Sequence, residues 1–159
     1  MPDNHARVEW QDFKKLAPDV NNAVSALSQL AAKSGLDKQL LELMKIRASQ
    51  INGCAFCVQY HVLAAEALGV SADKLNLLVV WREAPVFSAR ERAALAWTEA
   101  LTTLGHGVDD EIYSEARAVF SDTELAYLSS AVAVINVWNR LGVAYRWTPL
   151  TRQKPTGAA

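Results

Sequence analysis

Two helical patterns meet at Asn52-Gly53, and the only two cysteines of the chain, Cys54 and Cys57, follow at once. A helix that must stop so that another can start in a new direction needs a residue tolerant of left-handed backbone, and Gly supplies it without steric cost. The break therefore predicts a helical hairpin. Leu40, Leu41, Met44, Ile46 and Ile51 mark its first arm, and Val58, Val62, Leu63, Ala65 and Leu68 its second, which ends at Gly69.

The rest of the chain reads the same way. The first dozen residues are polar and weakly patterned, an arm with one short turn near Trp10 to Leu16. Pro18 suits the first turn of a helix that carries Val20, Val24, Leu27, Leu30 and Ala31 and ends at Gly35. Asp37 can cap the first hairpin arm, and Ser71 a shorter helix through Leu75, Leu78 and Val79. Ser88 with Glu91 and Ser121 with Glu124 are capping boxes, each opening a helix, and Asp109 or Asp110 can cap the helix between them. The helix from Ser121 is the longest and is apolar nearly all round in its first half, so it is expected at the centre or in a subunit interface. Strand alternation is absent. The expectation is an all-α, single-domain bundle of about six to eight helices over residues 16–148, with an arm at 1–15 and a disordered tail at 149–159.

Composition narrows the function. A net charge of −1 leaves no electrostatic footprint for nucleic acid or an anionic membrane surface. No run approaches the length of a spanning helix and the N-terminus has no apolar leader, so the chain is expected to be soluble and cytoplasmic. In that compartment a C-x-x-C pair points to redox chemistry or metal binding.

Helical residues advance about 100° each, so Cys54, Cys57 and His61 are expected within about 60° on one face. Cysteines three apart near a helix start can close a disulfide, and the free amides of the helix N-terminus stabilise a thiolate there. Glu42 and His61 lie on opposite arms, each roughly 12–17 Å from the turn at 1.5 Å per residue. They would face each other, the carboxylate orienting the imidazole and the imidazole taking a proton from a thiol. The helix terminus favours Cys54 as the attacking thiol, whereas the base one turn away favours Cys57. The competing readings are a pair of buried small hydrophobes, or a zinc site completed by His61 and a carboxylate. Glu42 could instead be a solvated surface residue or pair with Lys45 or Arg47. His5 and His106 are expected to be exposed. Asn136, Trp138, Asn139 and Arg140 read as helix packing, and the five tryptophans as core or interface.

The pattern E-x11-C-x-x-C-x-x-x-H, filled by Glu42, Cys54, Cys57 and His61, resembles the AhpD-like alkylhydroperoxidase core of the carboxymuconolactone decarboxylase superfamily. The flanking KIRASQINGCAFCVQYH and AVINVWNRLGVAYR are similar to it too, and the likeness runs from about Leu16 to Trp147. It implies a homotrimer or homohexamer and thiol chemistry with no cofactor and no metal. By the same resemblance, Cys57 attacks a small hydroperoxide, Cys54 resolves the sulfenic acid, and Glu42 and His61 relay protons. A dithiol reductant protein, lipoyl-bearing or thioredoxin-like, then reopens the disulfide. The best-known members carry a histidine between the cysteines, where this chain has Phe56, so a polar donor beside the thiols is missing. That departure motivates an alternative, a redox-sensing or oligomeric binding protein with little turnover. A cofactor-free lyase or isomerase using Glu42 and His61 is the third reading, although the decarboxylase branch lacks the C-x-x-C pair.

Overall fold

The computed structural model describes residues 5–151. Among them are eight α-helices: α1 (Trp10–Leu16), α2 (Pro18–Lys33), α3 (Lys38–Asn52), α4 (Ala55–Ala67), α5 (Ala72–Leu77), α6 (Ala89–Thr102), α7 (Asp110–Val119) and α8 (Asp122–Tyr145). A single 3-10 turn, Leu78–Val80, follows α5. The fold is all-α, as the sequence predicts. Residues 152–159, most of the expected tail, lie outside the described residues.

Local chemistry explains most boundaries. Asp37 accepts the amides of Gln39 and Leu40 at the start of α3, and Ser71 accepts that of Lys74 at the start of α5. Both capping boxes are closed, Ser88 with Glu91 and Ser121 with Glu124. Each satisfies two helix-end amides that have no partner within the helix. Asp109 is the N-cap of α7 but makes no side-chain capping bond. Gly53, at φ +70°, lies in the left-handed region and lets α3 end and α4 turn back against it.

The long helix α8 packs against α2, α3, α4, α6 and α7. It shares the centre with α3, whose Leu40, Leu41, Leu43, Met44, Ile46 and Ala48 are all buried. These α3 side chains feed two cores. Leu40, Leu41 and Met44 pack with Trp97, Phe120, Leu128 and Val132 on one side. Leu43 and Ile46 pack with Leu78, Trp81, Phe87 and Leu95 on the other. No single helix is long and apolar enough to cross a membrane.

Hydrogen bonds as well as apolar contacts tie the hairpin turn to α8. Asn52 donates to both Asn136 Oδ1 (3.0 Å) and Asn139 Oδ1 (2.9 Å). Asn139, fully buried, donates to Ser49 Oγ at 2.9 Å. Asn136 donates to Thr102 Oγ1 at 3.1 Å, and Arg140 donates back to the Asn136 side chain. Buried amides are costly unless satisfied, so this set specifies the register of α3 against α8. Removing the Asn139 amide should cost roughly 2–3 kcal/mol. Urea unfolding of Asn139→Ala is therefore expected to show that loss, against about 1 kcal/mol for Ser49→Ala.

Candidate active site

The hairpin brings Glu42 of α3 against His61 of α4, with Glu42 Oε2 2.7 Å from His61 Nδ1. The other carboxylate oxygen, Oε1, accepts from Lys45 Nζ at 2.7 Å. Both alternatives that the sequence posed for Glu42, a histidine partner and a lysine pair, are therefore realised together. Arg47 turns away and pairs with Glu99 at 2.7 Å, beside the Trp81 indole. Glu42 is 8 % exposed, so a carboxylate there is stable only because both oxygens are engaged.

Burial acts on both members of the pair. It pushes the Glu42 carboxyl up, but the hydrogen bonds and charges of His61 and Lys45 outweigh it and hold the carboxyl below its ordinary value. Burial pushes the His61 imidazole down, and the lowering prevails over the opposing pull of Glu42. Near neutral pH the ring is then neutral. An ionised Glu42 accepts the Nδ1 proton, which leaves the Nε2 lone pair free to take another.

Cys54 and Cys57 are joined as a disulfide, with Cα atoms 5.3 Å apart. The expectation that both cysteines share a helical face with His61 fails at Cys54. That residue is the N-cap of α4, with extended backbone (φ −87°, ψ 94°), and its Sγ accepts the Cys57 amide at 3.2 Å. A capping residue is half outside the helix by definition, so the 100° rule does not reach it. Cys57 is helical and lies one turn before His61, a spacing that makes the two side chains neighbours.

A cavity of about 390 Å³ opens onto this arrangement. Glu42, Lys45, Cys57 and His61 line it; Cys54 does not. Both cysteines are nearly sealed, at 2 % and 3 % exposed. The far wall is aromatic. Phe56 packs against Trp10 (5.2 Å between ring centroids), Trp147 (5.4 Å) and Tyr60 (6.1 Å). Trp138 lines the cavity and donates to Ser28 Oγ of α2 at 3.0 Å. Three of the five tryptophans thus wall the site, while Trp81 and Trp97 are in the two cores. His5 and His106 are exposed.

Three features of the site have no local signal in the sequence. The segment read as an arm folds back: Arg7 donates its amide to Tyr145 O (2.9 Å), and Thr148 donates its hydroxyl to Glu9 (2.7 Å). These bonds seat Trp10 and Phe13 over the hairpin. Arg146, in left-handed backbone at φ +54°, caps α8 and turns Trp147 under the cysteines. The Trp147 indole nitrogen is buried without a partner, so its ring rather than its donor serves the packing. Gly142 completes the floor. A Cβ there would stand 2.6 Å from Cys54 Sγ and 3.3 Å from Cys57 Sγ. Only a residue without a side chain lets α8 come this close to the sulfurs. Among the described residues no three His, Cys, Asp or Glu side chains converge as a metal-binding group.

A profile of the carboxymuconolactone decarboxylase family matches residues 18–100. YdfG of Bacillus subtilis, an uncharacterized protein, is 31 % identical over 133 residues, covering 83 % of this chain and 90 % of that one. This chain belongs to the carboxymuconolactone decarboxylase family. Its likeness to solved structures places it among the AhpD-like members. An Agrobacterium tumefaciens protein, described as of unknown function and a candidate AhpD of antioxidant defence, superposes with a TM-score of 0.87 at 38 % identity. That match covers 93 % of this chain and 100 % of the other. A peroxidase-related protein with an AhpD core from Ralstonia eutropha shares the fold at 22 % identity and TM-score 0.78, over 87 % of this chain and 75 % of its own.

Two outcomes follow from the geometry of this family member. Gly142→Ala forces the α8 backbone or the sulfurs to shift, at roughly 1–3 kcal/mol. Urea unfolding should register that loss in the oxidised protein and less of it after reduction, when the sulfurs move independently. Acid should also destabilise the fold in two stages. His61 is harder to protonate folded than unfolded, so stability falls as pH drops below the ordinary imidazole value of 6.5. The Glu42 contribution, present above 4.5, is lost as pH drops further through its lowered folded value. Denaturation midpoints of wild type and His61→Gln across pH should show the first stage only in wild type.

Proposed function

We propose that this chain is a thiol-dependent reductase of organic hydroperoxides, with Cys57 as the attacking thiol, Cys54 as the resolving thiol, and His61 and Glu42 as the proton relay. The observation that carries the reading is that Cys57 alone of the two cysteines lines the cavity onto which the Glu42-held imidazole also faces.

In the reduced enzyme the unprotonated His61 nitrogen takes the proton of the Cys57 thiol, and Glu42 stabilises the imidazolium. The thiolate attacks the terminal peroxide oxygen. The O–O bond breaks, the alcohol leaves with a proton from His61, and Cys57 becomes a sulfenic acid. The Cys54 thiol then attacks the Cys57 sulfur and water leaves, which closes the disulfide. An external dithiol opens it by exchange. The sum is hydroperoxide and dithiol to alcohol, water and disulfide.

The apolar wall of Phe56, Trp10 and Trp147 suits a hydroperoxide with an apolar body. Because both sulfurs are nearly sealed, a slender lipoyl-type dithiol arm is favoured as reductant over the broad face of a thioredoxin-like protein. The exposed Leu16, Val20, Leu27 and Leu30 support self-association, as a homotrimer or homohexamer.

A second reading rests on Phe56. Its ring is packed among Trp10, Tyr60 and Trp147, so no polar side chain stands between the cysteines. A redox-sensing protein would close its disulfide on exposure to peroxide and turn over at background. One assay separates the readings: steady-state reduction of cumene hydroperoxide with dihydrolipoamide. The expectation is abolition in Cys57→Ser and in Cys54→Ser, and a loss of roughly 10²- to 10⁴-fold in His61→Gln. Full turnover in either cysteine variant would overturn the two-thiol cycle. Background turnover by wild type, with ready disulfide formation, would establish the sensor instead.

A further inference from the structure

We infer that Lys45 is a positioning residue of the relay: seated on Glu42 Oε1 beside the Oε2–His61 contact, it places a cation where it opposes a proton on His61 and so sets when the imidazole is free to act as the base. The inference deepens the proposed function and rests on its reading of His61 as the base.

The geometry is that of a chain of three. Lys45 follows Glu42 by three residues on α3, so both project from one face of the helix. The Nζ–Oε1 and Oε2–Nδ1 separations are both 2.7 Å. All three side chains are largely buried, at 14 %, 11 % and 13 % exposed. An ion pair in water contributes little, but here the ammonium is held against a carboxylate that has few alternatives. Without it Oε1 loses its partner and no cation lines the cavity beside the imidazole.

The charged and titratable groups around His61 are few. Glu42 and Lys45 face it from α3, and Cys57 and Tyr60 lie beside it on α4. From α2 and α8 only uncharged side chains reach the cavity, and Lys14 of α1 stacks on the Trp10 ring without lining it. Lys45 is therefore the only cation lining the cavity among the described residues. When Cys57 gives up its proton, the S–H bond breaks and an N–H bond forms at His61, while Glu42 remains an anion. The imidazolium then sits near two charges of opposite sign. The carboxylate holds the proton on the ring, and the ammonium prompts its release to the departing alkoxide. Lys45 thereby sets the pH at which the imidazole is free to act.

Titration of the three histidines by NMR in the reduced protein reads this without turnover. In Lys45→Met and Lys45→Gln the His61 midpoint should rise by roughly half a pH unit or more, since a like charge is removed. In Lys45→Arg it should stay at the wild-type value. The acid limb of kcat/KM for cumene hydroperoxide should move upward with the midpoint in the uncharged variants. An unmoved His61 midpoint in both folded uncharged variants would overturn the inference, as would an arginine variant that shifts as far as they do. Failure of hydroperoxide turnover in wild type would strike the peroxidase reading alone, because the NMR midpoint does not depend on it.

Discussion

A carboxylate buried between two helices must be compensated where it stands, and Glu42 is the charge around which this site is arranged. Its oxygens take one cation and one imidazole N–H, from Lys45 and His61. That pairing requires α3 and α4 to lie antiparallel at close range, which the left-handed Gly53 allows. It also requires α3 to be held rigidly, because a loose helix would admit water to the pair and weaken it. The two apolar cores on either flank of α3 and the asparagine network at its C-terminal end supply that rigidity.

The disulfide stands at the same turn and is governed by the same packing. Cys54 caps α4, so its sulfur is held by the Cys57 amide, while Cys57 faces the cavity from the first turn. The environment thereby distinguishes two cysteines that are equivalent in composition: one satisfies a helix end, and the other meets whatever enters. Gly142 and Trp147 close the underside, and Phe13 with Phe56 completes the apolar shell around the sulfurs. The cavity that Cys57 lines is also lined by Glu42, Lys45 and His61. On the proposed function, a hydroperoxide entering there would meet Cys57 and His61 on one lining.

Much of this was legible in the residues. Capping boxes at Ser88 and Ser121, the cap at Asp37 and the break at Asn52-Gly53 are local devices, and each acts as its chemistry dictates. The facing of Glu42 and His61 was legible as well, because a hairpin with a known turn converts sequence distance into height. The helical position assigned to Cys54 was not met, because a side chain that satisfies the backbone at a helix start departs from helical periodicity. The asparagines of α8 read as packing, and they do pack, but their partners on α3 and α6 lie 34 to 90 residues away in sequence.

By itself the sequence determined where helices start and stop, that the fold is all-α, and that one hairpin gathers a dithiol, an imidazole and a carboxylate. Those are consequences of backbone capping and periodicity, which act over a few residues. Only the tertiary structure decided which cysteine faces the cavity, that Lys45 shares Glu42 with His61, and that Trp10, Trp147 and Gly142 enclose the sulfurs. These depend on segments more than 40 residues apart arriving at one place, or on which of two plausible partners a buried charge finds. Both are settled by the packing of the whole chain, because burial makes a charge or a close contact selective where water would leave it indifferent.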